Sequence, residues 1–169
     1  MSRHNGTNGS NGSNGHRPLP FIVRRSRIQG RGAFATRRIH KGGLVGEYIG
    51  ERLSHDEAES RYDEDSMLQP ITYLFTVDDE VVIDASRRGN AAKYINHSCE
   101  PNCESLIDKG RVFVYAMKNI QPGVELTYDY NLYCEGAYGR DWKVRYACHC
   151  ASRRCRGTLL RPKKRRRAK

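Results

Sequence analysis

The sequence has no long hydrophobic run. Its 169 residues are 37% hydrophobic and 29% charged, and no stretch approaches the roughly 18 apolar residues of a membrane-spanning helix. A protein that crosses a membrane by helices is excluded, and no membrane partner is expected. Residues 1–16 hold no apolar stretch at all, so a secretory leader is not expected. No cysteine precedes Cys99. With no leader, the six cysteines argue against a disulfide framework. Phenylalanine is scarce, four against ten tyrosines, which tilts the chain toward aromatic walls with polar tips. Acids are missing from both ends: none lies in the first twenty residues or in the last nine.

What charge there is follows from that distribution. The net charge is +11; Arg161 to Lys169 holds seven Lys or Arg, and the first twenty residues hold Arg3 and Arg17, which leaves +2 for residues 21–160. The basicity is mostly a tail. A run such as Lys163-Lys164-Arg165-Arg166-Arg167 can contact nucleic acid or acidic lipid, serve as a nuclear address, or simply remain a solvated end.

The length fits one domain. Residues 1–17, rich in Asn, Gly and Ser, cannot bury enough apolar surface to offset their ordering entropy and form a disordered lead. The globular part begins near Pro18 or Phe21 and ends near Leu160, and residues 161–169 are the basic tail. Within it the apolar runs are short and strand-like: Phe21 to Val23, Leu44 to Ile49, Ile71 to Val77, Val81 to Ile83, Ser105 to Ile107, Arg111 to Ala116 and Glu125 to Tyr130. Asp78-Asp79-Glu80 and Asp108-Lys109-Gly110 read as hairpin turns, and Gln121-Pro122-Gly123 suits a type II turn. One helix is convincing. Ser54-His55-Asp56-Glu57 matches a capping box, so the helix runs from there to about Tyr62. The expected class is mainly β, with one or two short helices.

Cys148-His149-Cys150-Ala151-Ser152-Arg153-Arg154-Cys155 places three thiols within eight residues. Zinc takes four soft or borderline ligands in a tetrahedron, so one more must come from a distance. Cys99, Cys103, Cys134 and His149 are the candidates. Three reduced thiols in a basic loop would be the plainer reading, but free cysteines are usually buried singly and this segment is polar. Gly30-Arg31-Gly32 lacks the further glycines of a dinucleotide fingerprint and the Lys-Ser/Thr of a phosphate loop; alone it reads as a turn. Tyr94 to Cys103 is polar and interrupted by Pro101, unlike an ordinary strand. A Cys–His nucleophile is conceivable there, but their spacing does not establish geometry. In Glu125 to Tyr130, alternation puts Tyr128 and Tyr130 on one face.

Together and in this order, these segments resemble the SET-domain protein lysine methyltransferases. The resemblance covers Ile22 to Leu160. It rests on Gly30-Arg31-Gly32, Glu47-Tyr48-Ile49-Gly50, Tyr73, Asp84-Ala85 with Arg88-Gly89-Asn90, Asn96-His97-Ser98-Cys99 with Pro101-Asn102, Glu125 to Tyr130, and the terminal cysteines. It implies a SET-domain fold of small antiparallel sheets with a pseudoknot, in which the Asn96 segment threads beneath a loop near Tyr130. Residues 18–132 would be the SET domain, and 133–160 a linker and post-SET zinc segment. It implies S-adenosylmethionine as methyl donor, held by Gln29, Arg31, Ala33, Tyr73, Asn96 and His97. It implies a structural zinc on Cys99, Cys148, Cys150 and Cys155, with Cys103 and Cys134 as ordinary thiols. Tyr130 takes the catalytic position, and Tyr48 and Tyr128 line the lysine channel. The implied partner is a basic protein such as a histone tail, with nucleic-acid contact through the basic tail as an added possibility. The protein should be monomeric and intracellular: nuclear if eukaryotic or host-directed, otherwise cytoplasmic. The pre-SET cysteine cluster of some members has no counterpart before Cys99, and residues 131–147 have no firm family equivalent. Two rivals are a zinc-stapled nucleic-acid-binding module and an inactive SET scaffold; neither Tyr130 nor Asn96 is altered, as the latter would require.

Overall fold

The computed structural model describes residues 18–62, 73–133 and 142–162. The elements are β1 (Phe21–Arg25), β2 (Arg31–Ala35), β3 (Leu44–Tyr48), β4 (Glu51–Leu53), α1 (His55–Arg61), β5 (Leu74–Thr76), β6 (Val82–Asp84), a 3-10 turn (Ala91–Tyr94), β7 (Asn96–His97), β8 (Cys103–Asp108), β9 (Arg111–Ala116), β10 (Thr127–Tyr128) and α2 (Trp142–Arg145). They make four small sheets: β1-β2, β3-β9-β8, β4-β6-β5 and β10-β7. The first three are antiparallel, and β10 pairs with β7 in parallel. The expected mainly β class of small antiparallel sheets is what the chain adopts. No helix among the described residues is long and apolar enough to cross a membrane.

Local chemistry sets the turns. Lys109 and Gly110 both have positive φ (48° and 72°), as a tight two-residue turn between β8 and β9 requires. The Asp78 carboxylate accepts the N–H groups of Glu80 and Val81 at 3.0 and 2.8 Å, closing the β5–β6 hairpin in the manner of an Asx turn. At Gln121-Pro122-Gly123-Val124 the Gly123 φ is +83° and the Val124 N–H returns to the Gln121 carbonyl, a type II turn. The α1 capping box is complete: the Glu57 N–H donates to Ser54 Oγ at 3.1 Å, and the Ser54 N–H to Glu57 Oε2 at 2.8 Å.

Three local readings change. Gly30-Arg31-Gly32 is only partly a turn. Gly30 turns at φ +42°, but Arg31 already starts β2, and Gly32 is needed because a Cβ there would run into the Glu125 carboxylate. Asn96-His97 is a strand after all, because its partner is the remote pair Thr127-Tyr128 rather than a neighbour. Conversely, the expected strand from Glu125 to Tyr130 is reduced to those two residues. The Ile71 end of the expected Ile71–Val77 strand lies outside the described residues, as do Cys134 and the basic run 163–167.

The core lies where the sheets meet. Val45, Val112, Val114, Ile95 and Leu126 are at most 1% exposed, each such side chain contributing about 1.5–3 kcal/mol by leaving water. The segment 116–126 closes this core across long sequence distances. Ile39 and Ile120 exchange backbone hydrogen bonds at 2.9 and 2.8 Å, the Ala35 N–H donates to Val124 O, and the Leu126 N–H to Ala33 O. A second, smaller cluster of Leu53, Ala58 and Val82 seats α1.

Candidate active site and cysteine cluster

The β7–β10 pairing builds the site. Its register, Asn96 opposite Thr127 and His97 opposite Tyr128, brings two segments together that alternation alone could not join. The Asn102 side chain locks the crossing: its Nδ2 donates to Glu125 O at 2.7 Å and its Oδ1 accepts the Thr127 N–H at 2.9 Å.

From this crossing an aromatic wall extends. Tyr48 packs on Phe75 (5.5 Å between ring centres), Phe75 on Tyr128 (6.4 Å), Tyr128 on Tyr130 (4.9 Å) and Tyr130 on His97 (5.3 Å). The three tyrosines singled out in the sequence therefore share one surface, and Phe75 is the member that sequence reasoning missed. Tyr48 and Tyr128 are buried. Burial, reinforced by the neighbouring phenols, pushes both hydroxyls well above their ordinary 10, so they stay protonated and act as neutral hydrogen-bonding groups. Tyr48 donates to Tyr73 O at 2.8 Å, and Tyr130 donates to Ile95 O at 3.1 Å.

Beside the wall lies a polar cradle. Asn96 Nδ2 contacts Arg31 O at 2.9 Å, Gln29 O at 3.4 Å and Glu125 Oε1 at 2.8 Å. This draws the β1–β2 hairpin tip onto β7. Glu125, itself bonded to Ser26 Oγ at 2.7 Å, is a second residue that sequence reasoning did not find. The Arg31 guanidinium lies 4.7 Å from the Tyr94 ring centre, Tyr94 meets Tyr73 edge-on at 6.3 Å, and Lys93 Nζ lies 5.4 Å from both rings. Flat aromatic faces beside two cations and an exposed hairpin backbone fit a ligand with a purine and a carboxylate, as S-adenosylmethionine has. Of the six residues expected to hold it, Gln29, Arg31, Tyr73 and Asn96 gather here, while His97, next to Asn96 on β7, turns its ring to Tyr130 and Cys99. Ala33 packs its side chain fully into the core, and its carbonyl is taken by Leu126.

On the far side of His97 stand the cysteines. The Sγ atoms of Cys99, Cys148, Cys150 and Cys155 all lie within 4.8 Å of one another, and those of Cys99 and Cys148 are 3.7 Å apart. A tetrahedral thiolate site with metal–sulfur bonds of about 2.3 Å has edges of about 3.8 Å, so this set fits a four-coordinate soft metal. Donors face the sulfurs as they would face thiolates: Arg156 N–H to Cys99 (3.3 Å), Gly157 N–H to Cys155 (3.4 Å) and the Ser152 hydroxyl at Cys150 (3.2 Å). Without a metal, burial pushes the Cys99 and Cys148 thiols up, whereas at Cys150 hydrogen bonds from the Cys99 backbone and Ser152 outweigh burial and bring the thiol down. Cys103 is fully buried in the apolar core, where burial pushes its thiol up to about 12; it is not part of the cluster.

His97 joins the two halves. Its Nδ1 accepts the Tyr130 N–H at 3.1 Å, so in the neutral ring Nε2 carries the proton, and Nε2 lies 3.3 Å from Cys99 Sγ. Alongside, Arg156 makes a two-pronged ion pair with Asp129 at 2.6 and 2.8 Å. The residue before Tyr130 is thus tied to the residue after Cys155. Neither Asp129 nor Arg156 was singled out from sequence, because an ion pair across 27 positions leaves no local pattern.

The sequence has known relatives. The SET domain family matches residues 30–131. The chain is 42% identical over 144 residues to the histone-lysine N-methyltransferase trithorax of Drosophila virilis, covering 81% of this chain and 4% of that protein. It is 40% identical to the human histone-lysine N-methyltransferase 2B, covering 81% and 5%, and 39% identical to the H3 lysine-4-specific histone-lysine N-methyltransferase of Schizosaccharomyces pombe, covering 79% and 14%. The chain therefore spans a small fraction of the length of these curated relatives. The family match takes in β2, the β7–β10 crossing and the tyrosine wall, and the chain belongs to the SET-domain family.

Proposed function

We propose that the chain is an S-adenosylmethionine-dependent protein-lysine N-methyltransferase acting on a basic protein tail of the histone kind, with residues 18–132 as its catalytic unit. The observation that carries this reading is the continuous wall of Tyr48, Phe75, Tyr128 and Tyr130 set between a cation–aromatic cradle and a four-cysteine cluster. When bound, S-adenosylmethionine supplies a methyl group on a positively charged sulfur. The chain's own task is positioning, because methyl transfer is an in-line displacement. A buried phenol wall disfavours a charged lysine and so holds the substrate amine in its neutral, nucleophilic form. The Tyr130 hydroxyl directs its hydrogen to Ile95 O. Its lone pairs are what it can offer, which suits an amine N–H or a partly positive methyl group without adding a full charge.

Cys99, Cys148, Cys150 and Cys155 are assigned a structural zinc. Four thiolates fill a tetrahedron and leave no open position for catalysis. The substrate class is supported by charge: Asp56, Glu57 and Glu59 are exposed on α1, although Glu57 also completes the helix cap. Asp63, Glu64 and Asp65, part of the same acidic insert, lie outside the described residues. Negative charge on that side attracts Lys/Arg-rich segments. Every site residue comes from one chain, so the reading requires no oligomer. Chromatin is the corresponding location.

The test is transfer of isotope from labelled S-adenosylmethionine to a histone mixture, with Tyr130→Phe alongside. Label on lysine, reduced at least about 100-fold in the variant as for a lost acid–base or orienting group, supports the assignment. A folded Tyr130→Phe protein with an unchanged single-turnover rate overturns the role given to Tyr130.

A further inference from the structure

We propose that the end of the molecule where the β1–β2 hairpin meets the 118–124 turn is a docking surface for the phosphate backbone of double-stranded DNA. The near-neutral count for residues 21–160 conceals a segregation. Between Pro18 and Gly46 the chain carries Arg24, Arg25, Arg27, Arg31, Arg37, Arg38 and Lys41 with no acid at all, and all seven cations are exposed. Residues 47–62 and 73–84 together hold nine acids against two bases. The acids of α1 and of the β5–β6 turn come together, with His55 Nε2 3.0 Å from Asp78 O.

At the basic end, backbone contacts collect cations from two stretches of chain. The Ile39–Ile120 exchange, Lys41 N–H to Asn119 Oδ1 at 3.0 Å and Gly42 N–H to Ala116 O at 2.7 Å bring Arg37, Arg38 and Lys41 beside Lys118. Arg24 joins them by donating to Gly123 O at 3.1 Å.

The second observation is that this charge is not neutralised. Arg61, Arg111, Arg154 and Arg156 are all engaged with carboxylates. Among the described residues none of Arg24, Arg37, Arg38, Lys41 and Lys118 makes an ion pair. Glu104, which lines the same shallow concavity as Lys41, and Glu125, held by Ser26 at the hairpin, are the nearby counterweights. Long exposed cations spread over a surface do not make a pocket for a small anion, which needs converging donors. They suit a ligand with many regularly spaced charges, and each phosphate they neutralise releases counterions. An anionic lipid surface has the same charge, and Ile22, Leu44, Met117 and Val124 are exposed nearby. The choice of DNA rests on the proposed substrate, since histone tails project from DNA.

The full chain would be titrated into a fluorescent random-sequence duplex over a range of salt, next to the quadruple variant Arg37→Gln, Arg38→Gln, Lys41→Gln, Lys118→Gln. None of these side chains forms an ion pair or side-chain hydrogen bond among the described residues, so thermal unfolding should be unchanged. The expected result is a log–log salt dependence shallower by about 2 to 4 units, at about 0.9 for each phosphate that the variant no longer neutralises. Methylation of a free basic peptide should be unaltered. An unchanged slope, with binding abolished by neutralising Lys163 to Arg167, overturns the proposal in favour of the tail alone. Tighter binding to anionic vesicles than to duplex at equal phosphate overturns it in favour of a membrane. Failure of the unmutated chain to methylate any peptide would count against the catalytic reading, while the DNA slope would still decide this one.

Discussion

The β3-β9-β8 sheet and the C-terminal segment 142–162 are held in different ways. The sheet buries Val45, Val112 and Val114 at no more than 1% exposure, and its attraction is non-directional and tolerant of acid and chelators. In the segment, Leu159 and Leu160 are the buried apolar side chains among the described residues. The rest of its attachment is directional: four thiols, the Arg156–Asp129 and Arg154–Glu100 ion pairs, and the Arg161 N–H to Leu132 O bond. One part of the site therefore rests on packing, and the other on directional contacts, to which the proposed zinc would add.

The largest expected effect comes from taking the metal away. A strong chelator should abolish activity and raise hydrogen exchange in residues 148–160, while strands β3, β8 and β9 stay protected. Uniform loss of protection across the sheet would show that the two parts are one cooperative unit.

Next comes a test of the polar joint inside the catalytic part. Asp84 is fully buried. Its oxygens accept from Arg61 (2.9 Å), Tyr62 (2.7 Å) and Ser86 (2.6 and 2.9 Å), fixing the C-terminal end of α1. Burial by itself would raise its pKa, but the hydrogen bonds from Ser86, Tyr62 and Arg61 outweigh it and hold the group below its ordinary 3.8. The stability it contributes is complete above that ordinary value and is lost as the pH falls through the lower one. Asp84→Asn should cost about 1–3 kcal/mol in denaturant unfolding, because the amide cannot accept all the hydrogen bonds that the buried carboxylate accepts, and it should leave zinc affinity alone. It should also flatten the acid limb of the stability curve.

A smaller change in stability, but a visible one in product, is expected at the wall. Tyr128 packs 4.9 Å from Tyr130, and its hydroxyl can hold a water in the space that a methylated amine must enter; displacing such a water without replacing its bonds is unfavourable. The unmutated enzyme should yield mainly monomethyl-lysine, and Tyr128→Phe should shift it toward di- and trimethyl-lysine by peptide mass spectrometry. Abundant trimethyl-lysine before mutation would move the limit to another part of the wall, such as Tyr48. The smallest effect belongs to Glu100→Gln. The Arg154 side chain is 84% exposed, and solvent screens such pairs so that they add little to stability; a melt and a zinc-release rate close to the original are expected.

The features that could be read from sequence are local ones. Ser54 and Glu57 declare the helix start, Lys109-Gly110 and Pro122-Gly123 declare their turns, and three cysteines in eight residues announce the thiol cluster. Asn96, His97, Tyr128 and Tyr130 were found through resemblance, since no periodicity in either segment foretells their parallel pairing. Phe75 was hidden inside a strand-like run, where an aromatic residue is ordinary. Glu125, Asp129 and Arg156 owe their roles to partners 27 to 99 positions away. The separation of charge was masked by a sum near zero, because composition averages over segments that carry opposite signs.

The closure of the β1–β2 hairpin by the 120–126 segment also dictates an order of events during synthesis. Ala35 and Val124, and Ile39 and Ile120, are hydrogen-bonded across more than eighty residues, so the first hairpin leaves the ribosome with half of its partners still untranslated. Pairings this remote incur their loop-closure entropy before any stabilisation arrives, which places the fold among slow, high-contact-order topologies. Three of the four clustered cysteines, Cys148, Cys150 and Cys155, follow Tyr130. A nascent chain can assemble its tyrosine wall only after residue 130 has emerged, and it can add the C-terminal segment only after that, so the newly made protein passes through a stage in which the core is closed and the site is still silent.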